Sequence, residues 1–146
     1  MIITRMNENH VPQIAELEKL CFNDPWSVNS IATELDNRLS LWLVAVEDDR
    51  VIGYVGSQTV MGETDMMNIA IHPDYRKQGI ASQLICELTG ELKLNGSRSL
   101  MLEVRTSNHA AKSLYEKMGF ETVGLRKNYY RNPREDALIL RKEWSL

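Results

Sequence analysis

The chain has 146 residues, 43% of them hydrophobic and 25% charged, with a formal net charge of −3; this is enough for one globular domain over 1–146 with a real core. The negative balance argues against a general nucleic-acid binder, which needs a basic face. No apolar stretch approaches membrane-spanning length, and Met1-Ile2-Ile3-Thr4-Arg5 lacks the charged and apolar regions of a leader, so no membrane contact and a cytoplasmic location are expected.

Residues 1–6 read as a short strand, and 10–21 as a helix with Ile14, Leu17 and Cys21 on one face and Pro12 in its first turn. Ser27 is placed to cap a second helix running through Leu35, with Trp26 and Ile31 as a hydrophobic staple. Residues 41–46 and 51–60 predict a β-hairpin closed by Glu47-Asp48-Asp49-Arg50, and 63–71 a further strand after the Met61-Gly62 turn. Ala81, Leu84, Ile85, Leu88 and Leu92 then mark the apolar face of a helix that stops at Asn95-Gly96. Residues 99–106 form a strand with Leu100, Leu102 and Val104 on one face and Met101, Glu103 and Arg105 on the other. A helix over 108–118, with Ala111, Leu114, Tyr115 and Met118 on one stripe, stops at Gly119, and strands near 120–130 and 137–144 close the chain. Alternation in the centre with hairpins at both ends predicts a mixed α/β (α+β) sheet rather than a purely parallel one. Cys21 and Cys86 stand without C-x-x-C or a histidine pair at metal spacing, so neither a metal site nor a disulfide framework is expected, and both read as buried, inert thiols.

The segment richest in chemistry is 69–81, where a strand enters a basic, glycine-containing turn and then directly a helix. Such a junction can hold a pyrophosphate. Gly79 and Ala81 leave backbone N–H groups unobstructed, the new helix leaves its first four N–H groups unpaired, and Arg76 and Lys77 add mobile positive charge. Neither G-x-x-x-x-G-K-[ST] nor G-x-G-x-x-G occurs, but R-x-x-G-x-A does, as Arg76, Gly79 and Ala81. Taken alone, the segment fits an ordinary strand-turn-helix connection equally well.

That pattern resembles the acyl-coenzyme-A signature of the GCN5-related N-acetyltransferases, the GNAT family, and the order of elements matches along nearly the whole chain. Asp24-Pro25-Trp26-Ser27, Glu103, the segment from Asn108 through Tyr115 to Phe120, and Tyr129-Tyr130 are similar to the bacterial ribosomal-protein-alanine N-acetyltransferases of the RimI type. The resemblance implies a GNAT fold: a central mixed, mostly antiparallel sheet with a parallel, splayed strand pair and about four helices. It implies acetyl-CoA as the only cofactor. Asn68–Ile71 would be the free pairing edge, with Ala70 within it and backbone groups of Ile69 and Ile71 bonding the pantetheine arm, one N–H facing the thioester oxygen. Arg76, Lys77, Gln78, Gly79, Ile80, Ala81 and Ser82 would surround its pyrophosphate, and Asn108 would reach the pantetheine amide.

Attack of an amine on a thioester needs a neutral amine, a stabilised oxyanion and a proton for the departing thiolate. The resemblance assigns the first to Glu103 and the last to Tyr115. An unperturbed glutamate near 4.3 is a poor base for an ammonium near 8, so Glu103 needs burial or a water relay, while a tyrosine near 10 can protonate a thiolate. An ion pair with neighbouring arginines, and a core tyrosine, are the plain structural alternatives. Trp26, Tyr129 and Tyr130 would bind the amine substrate, although the tyrosines could equally pack on their own hairpin. An α-amino group is far more often neutral than a lysine near pH 7, which suits a modest base. The implied reaction is direct acetylation of the N-terminal alanine of a small-subunit ribosomal protein, with no direct nucleic-acid partner. A small-amine acetyltransferase and a non-catalytic acyl-CoA-binding module are the alternatives.

Overall fold

The computed structural model describes residues 1–144; Ser145 and Leu146 of the expected 1–146 domain lie outside the described residues. Seven strands form one sheet: β1 (Ile2–Arg5), β2 (Ser40–Glu47), β3 (Arg50–Val60), β4 (Glu63–Ile71), β5 (Ser99–Arg105), β6 (Glu121–Tyr130) and β7 (Glu135–Glu143). Their spatial order is β1-β2-β3-β4-β5-β7-β6, antiparallel throughout except for β4 beside β5. This is the mixed sheet that the residue pattern predicts, with the mostly antiparallel order and one parallel pair that the family resemblance implies. The turns between β2 and β3 and between β3 and β4 are two-residue hairpin turns, with positive φ at Asp48 and Asp49 and at Met61 and Gly62.

Four α-helices cover the sheet: α1 (Val11–Cys21), α2 (Val28–Thr33), α3 (Ile80–Leu94) and α4 (His109–Lys117). Ser27 caps α2 by accepting from the Ser30 N–H at 3.1 Å, and Asn108 caps α4 by accepting from the Ala111 N–H at 3.1 Å. The second helix is shorter than expected. It tightens into a 3₁₀ turn over Glu34–Asp36, where the Glu34 carboxylate accepts from Asn37 Nδ2 and Ser40 Oγ and draws the chain into β2. Cys86 is exposed rather than buried, because α3 buries Ile80, Leu84, Ile85, Leu88 and Leu92 and residue 86 falls on the opposite side; Cys21 is partly buried.

Each face of the sheet carries its own core. On one face α1 and α2 bring Ile14, Leu17 and Ile31 onto Trp42, Val44, Tyr54 and Ala70. On the other, α3 and α4 bring Ile80, Leu84, Leu88 and Tyr115 onto Leu43, Val55, Met66, Leu100, Leu102 and Val104. Trp42 lies across Gly56 of the neighbouring strand, stacked on Tyr54 with ring centroids 5.6 Å apart and touched edge-on by Trp26 at 5.4 Å.

Two irregularities shape the middle of the sheet. Gly56 pairs with Asn68 but Ser57 pairs with Met66, so Met67 is an extra residue on β4; such a bulge bends its strand and increases its twist. On the other side of β4 the parallel pairing with β5 covers only Glu63–Ser99, Thr64–Leu100 and Asp65–Met101. Beyond the bulge the two strands part.

A Cβ at Gly56 would overlap the Trp42 ring. Gly56→Ala is therefore expected to lower the free energy of unfolding by about 1–3 kcal/mol, the usual penalty for overpacking, measured by urea denaturation against the unaltered chain.

Candidate active site

The parting of β4 and β5 opens a cavity of about 710 Å³, walled by Trp26, Ile69, Glu103, Asn108, Tyr115, Tyr129 and Tyr130 among others. Seven of the residues singled out from the sequence thus meet at one place. They arrive from opposite sides of the sheet: Tyr115 belongs to the core under α3 and α4, whereas Glu103 alternates with the β5 side chains of that core and projects from the other face. A continuous sheet would keep them apart.

The phase of the β3–β4 ladder decides which backbone groups look into the gap. His72 N–H donates to Ile52 O at 2.8 Å, so Ala70 and Asn68 fall on the hydrogen-bonded positions facing β3, and Ile69 and Ile71 turn their N–H and C=O toward β5. Ala70 accordingly offers no backbone group to the gap, and its side chain is buried under α1. Ile69 N–H donates to Asn68 Oδ1 at 3.1 Å, and Ile71 O accepts from Arg76 Nε at 3.2 Å.

Burial raises the pKa of Glu103; the Arg126 guanidinium 3.4 Å away pulls it back and the nearby Asp65 carboxylate adds to the rise. The ion pair that is the plain structural alternative is present, on a half-sheltered carboxylate. Its partner is Arg126 on β6 and not the adjacent Arg105. Tyr115 is 6% exposed and packs edge-on against Phe120; burial pushes its hydroxyl up to about 12, which keeps it a proton donor throughout the neutral range.

Tyr129 and Tyr130 contact each other edge-on, and Tyr130 also packs outside its hairpin, against Arg105 of β5. The Arg105 guanidinium lies 4.3 Å from the Tyr130 ring centre and donates to Pro133 O, Arg131 O and the Glu135 carboxylate, fixing the turn between β6 and β7. Burial raises both tyrosines. Asn132 of that turn touches Asn23 and donates to Asp24, so the β6–β7 turn meets the segment before α2 beside the cavity.

The remaining residues form a second group at the C-terminal end of β4 and do not wall the cavity. Arg76, Lys77, Gln78 and Gly79 are exposed, Ala81 and Ser82 half-buried, and Ile80 belongs to the core. Arg76 is anchored, not mobile: besides Ile71 O it reaches Cys21 Sγ at 3.5 Å. Gly79 sits at φ +79 and, among the described residues, nothing lies within 4 Å of where a Cβ would be and no side chain caps α3. An open left-handed glycine before an uncapped helix start leaves N–H donors free for an anion. With the gap-facing groups of Ile69 and Ile71, this fits the pyrophosphate and pantetheine of an acyl-CoA.

Arg126 and Glu18 escape the sequence reading, and Asn68 enters it only as the start of the pairing edge, with no role for its side chain. Arg126 and Asn68 carry no local signal. Glu18 does, because it occupies the buried face of α1 between Leu17 and Cys21, where an apolar residue is the rule. It is 1% exposed, and burial raises its pKa to about 7 against the hydrogen bonds from Trp26 N–H and Asn68. The folded chain thus holds this proton up to about pH 7 whereas the unfolded chain releases it near 4.5, so stability falls as pH rises through that window. Glu18→Gln is expected to remove this slope, gaining on the order of 2 kcal/mol relative to the unaltered chain between pH 5 and pH 8, read from urea unfolding at both pH values.

The model of the acetyltransferase (GNAT) family matches residues 11–120. The [ribosomal protein bS18]-alanine N-acetyltransferase of Haemophilus influenzae is 37% identical over 142 residues, covering 95% of this chain and 96% of the relative; that of Escherichia coli K12 is 34% identical over 140 residues, covering 94% of each. The crystal structure of the E. coli ribosomal-protein-S18-alanine N-acetyltransferase superposes with a TM-score of 0.91 at 33% identity, over 99% of this chain and 94% of that one. Arabidopsis thaliana NAA60 in complex with a bisubstrate analogue shares the fold, with a TM-score of 0.87 at 18% identity over 97% of each chain. The split sheet, the open glycine turn and these matches together make the chain a member of the GNAT acetyltransferase family.

Proposed function

We propose that this chain, as a single acetyltransferase domain, moves an acetyl group from acetyl-CoA to the N-terminal alanine amine of a small-subunit ribosomal protein in the cytoplasm. The observation that carries the reading is the convergence of Glu103, Tyr115, Trp26, Tyr129 and Tyr130 on one cavity at the split between β4 and β5. The substrate is drawn from the printed activity of relatives covered over almost their whole length.

Glu103 takes the proton of the incoming ammonium. Its raised pKa narrows the gap to an α-amino group near 8, and the neutral amine then attacks the thioester carbon. Ile69 N–H is the gap-facing donor for the negative charge that grows on the thioester oxygen as the C–N bond forms. When the C–S bond breaks, Tyr115 gives its phenolic proton to the thiolate and is reprotonated from solvent. Held protonated by burial, it starts each cycle in the required state. Trp26 and the Tyr129-Tyr130 pair bound the slot through which a chain end enters. Gln78 through Ser82 offer main-chain donors to the pyrophosphate, with Lys77 beside them and Asn108 at the mouth of the pantetheine path.

Mass spectrometry of short peptides incubated with acetyl-CoA tests the reading, using a free N-terminal alanine, the same end blocked, and an internal lysine. Acetylation confined to the free end is expected; turnover of a polyamine but of no peptide would overturn it, as would acetyl-CoA binding with no transfer. Glu103→Gln and Tyr115→Phe are each expected to lower kcat by about 10²-fold or more while acetyl-CoA affinity stays within about twofold. Because Arg126 pulls the Glu103 pKa down, Arg126→Gln should raise it further. The acid limb of the kcat/KM profile is then expected to move to higher pH, which initial rates across pH 5.5–9 on an alanine-starting peptide would record.

A further inference from the structure

A hydrogen-bonded chain crosses three elements between the two halves of the site. Glu18, near the end of α1, accepts from Trp26 N–H at 2.9 Å through one carboxylate oxygen and from Asn68 Nδ2 at 2.7 Å through the other. Asn68 in turn accepts from Ile69 N–H through Oδ1. The orientation of the Asn68 amide is therefore determined: it has one donor neighbour and one acceptor neighbour, and flipping it would break both contacts. Asn68 also stands at the first paired position after the Met67 bulge and walls the cavity, so a shift in it is a shift in the strand edge.

We propose that Glu18 and Asn68 are positioning residues that lock the amine-substrate segment at Trp26 to the Ile69 N–H, so that the slot and the oxyanion donor keep one fixed relation. This rests on the N-terminal acetyltransferase reading above. Neither residue touches the reacting atoms. The Glu18 carboxylate is 1% exposed, and a buried carboxylate is a costly way to fill a helix face that an apolar side chain would stabilise more. Its two oxygens serve two donors that lie on different elements and lead to different substrates. Trp26 walls the amine side, and Ile69 faces the gap in which the thioester would lie. Asn68 acts as the pivot, because its amide couples a contact 50 residues away in sequence to the N–H next to it.

Above about pH 7, where Glu18 is ionised and the test is run, Glu18→Gln preserves shape but replaces one acceptor with a donor. The new amide can serve Trp26 N–H or Asn68 Nδ2, not both; and if the Asn68 amide turned to accept from it, the Asn68 NH₂ would confront the Ile69 N–H. Asn68→Ala removes the pivot outright. The two sites share one chain of contacts, so their effects should not multiply.

The test measures kcat and both KM values for the unaltered chain, Glu18→Gln, Asn68→Ala and the double variant, alongside acetyl-CoA binding by tryptophan fluorescence and thermal melting. The amine is an alanine-starting peptide, with a polyamine run in parallel, and the variants are compared on whichever amine the unaltered chain acetylates. The expected result is a kcat at least 10-fold lower in each single variant, acetyl-CoA affinity within about twofold, and a double variant no worse than about threefold below the poorer single one. Wild-type kcat in either single variant overturns the proposal, as do losses that multiply in the double variant or a fall in activity that follows the melting temperature alone. Turnover of the polyamine and not the peptide by the unaltered chain overturns the substrate reading instead, and leaves the coupling measurable on that amine. Turnover of neither overturns both.

Discussion

Three positions of parallel pairing join β4 to β5, and after Asp65 and Met101 the strands separate. Every feature of the site depends on that separation. A sheet that continued would consume the Ile69 and Ile71 backbone groups in its own ladder and would wall Glu103 off from Tyr115. Peptide groups turned into an apolar gap are costly when left without partners, on the order of 1–3 kcal/mol each. In this chain nearby side chains answer them: Asn68 Oδ1 takes the Ile69 N–H, and Arg76 bonds the Ile71 carbonyl. Such local partners can share these peptide groups with atoms of a ligand, as in a three-centre hydrogen bond, without dismantling a strand.

The split does not spread because α3 spans it. Ile80, Leu84, Leu88 and Leu92 sit in one core with Leu43 and Val55 from the β2–β3 side and Leu100, Leu102 and Val104 from β5. A fully buried aliphatic side chain is worth about 1.5–3 kcal/mol, so a single apolar helix face can hold two half-sheets together where strand pairing no longer does. On the opposite face α1 crosses β3 and β4 only as far as Glu18 and Cys21, leaving the cavity open beyond its last turn.

Local structure was readable from the sequence wherever one residue or a short period decides it. Ser27 and Asn108 announce the starts of their helices, Gly119 the end of the last, and the alternation of Leu100, Leu102 and Val104 with Met101, Glu103 and Arg105 predicts the two faces of β5 correctly. The family pattern then drew seven residues to what is one cavity. The misses share a physical origin. That Cys86 is exposed follows from its angular position on α3, a fraction of a turn that a stripe read coarsely does not resolve. The Arg76–Cys21 contact, the Glu103–Arg126 pair and the Glu18–Asn68 contact are set by which strands and helices adjoin, and periodicity carries no information about neighbours 55, 23 or 50 residues away.

The two walls of the cavity belong to parts of the fold with different neighbours. Ile69 and Tyr115 are set in the twin cores, whereas Arg126, Tyr129 and Tyr130 ride on β6, which pairs only with β7, lies at the edge of the sheet, slips register twice along its length and is exposed over nearly all of it. Segments with one neighbour and little buried area open locally at far smaller free energy than the core, and their amides exchange with solvent first. The β6 wall of the cavity can therefore loosen while the Ile69 and Tyr115 wall stays fixed in the cores. One cavity thus has a wall built to move and a wall built to stay.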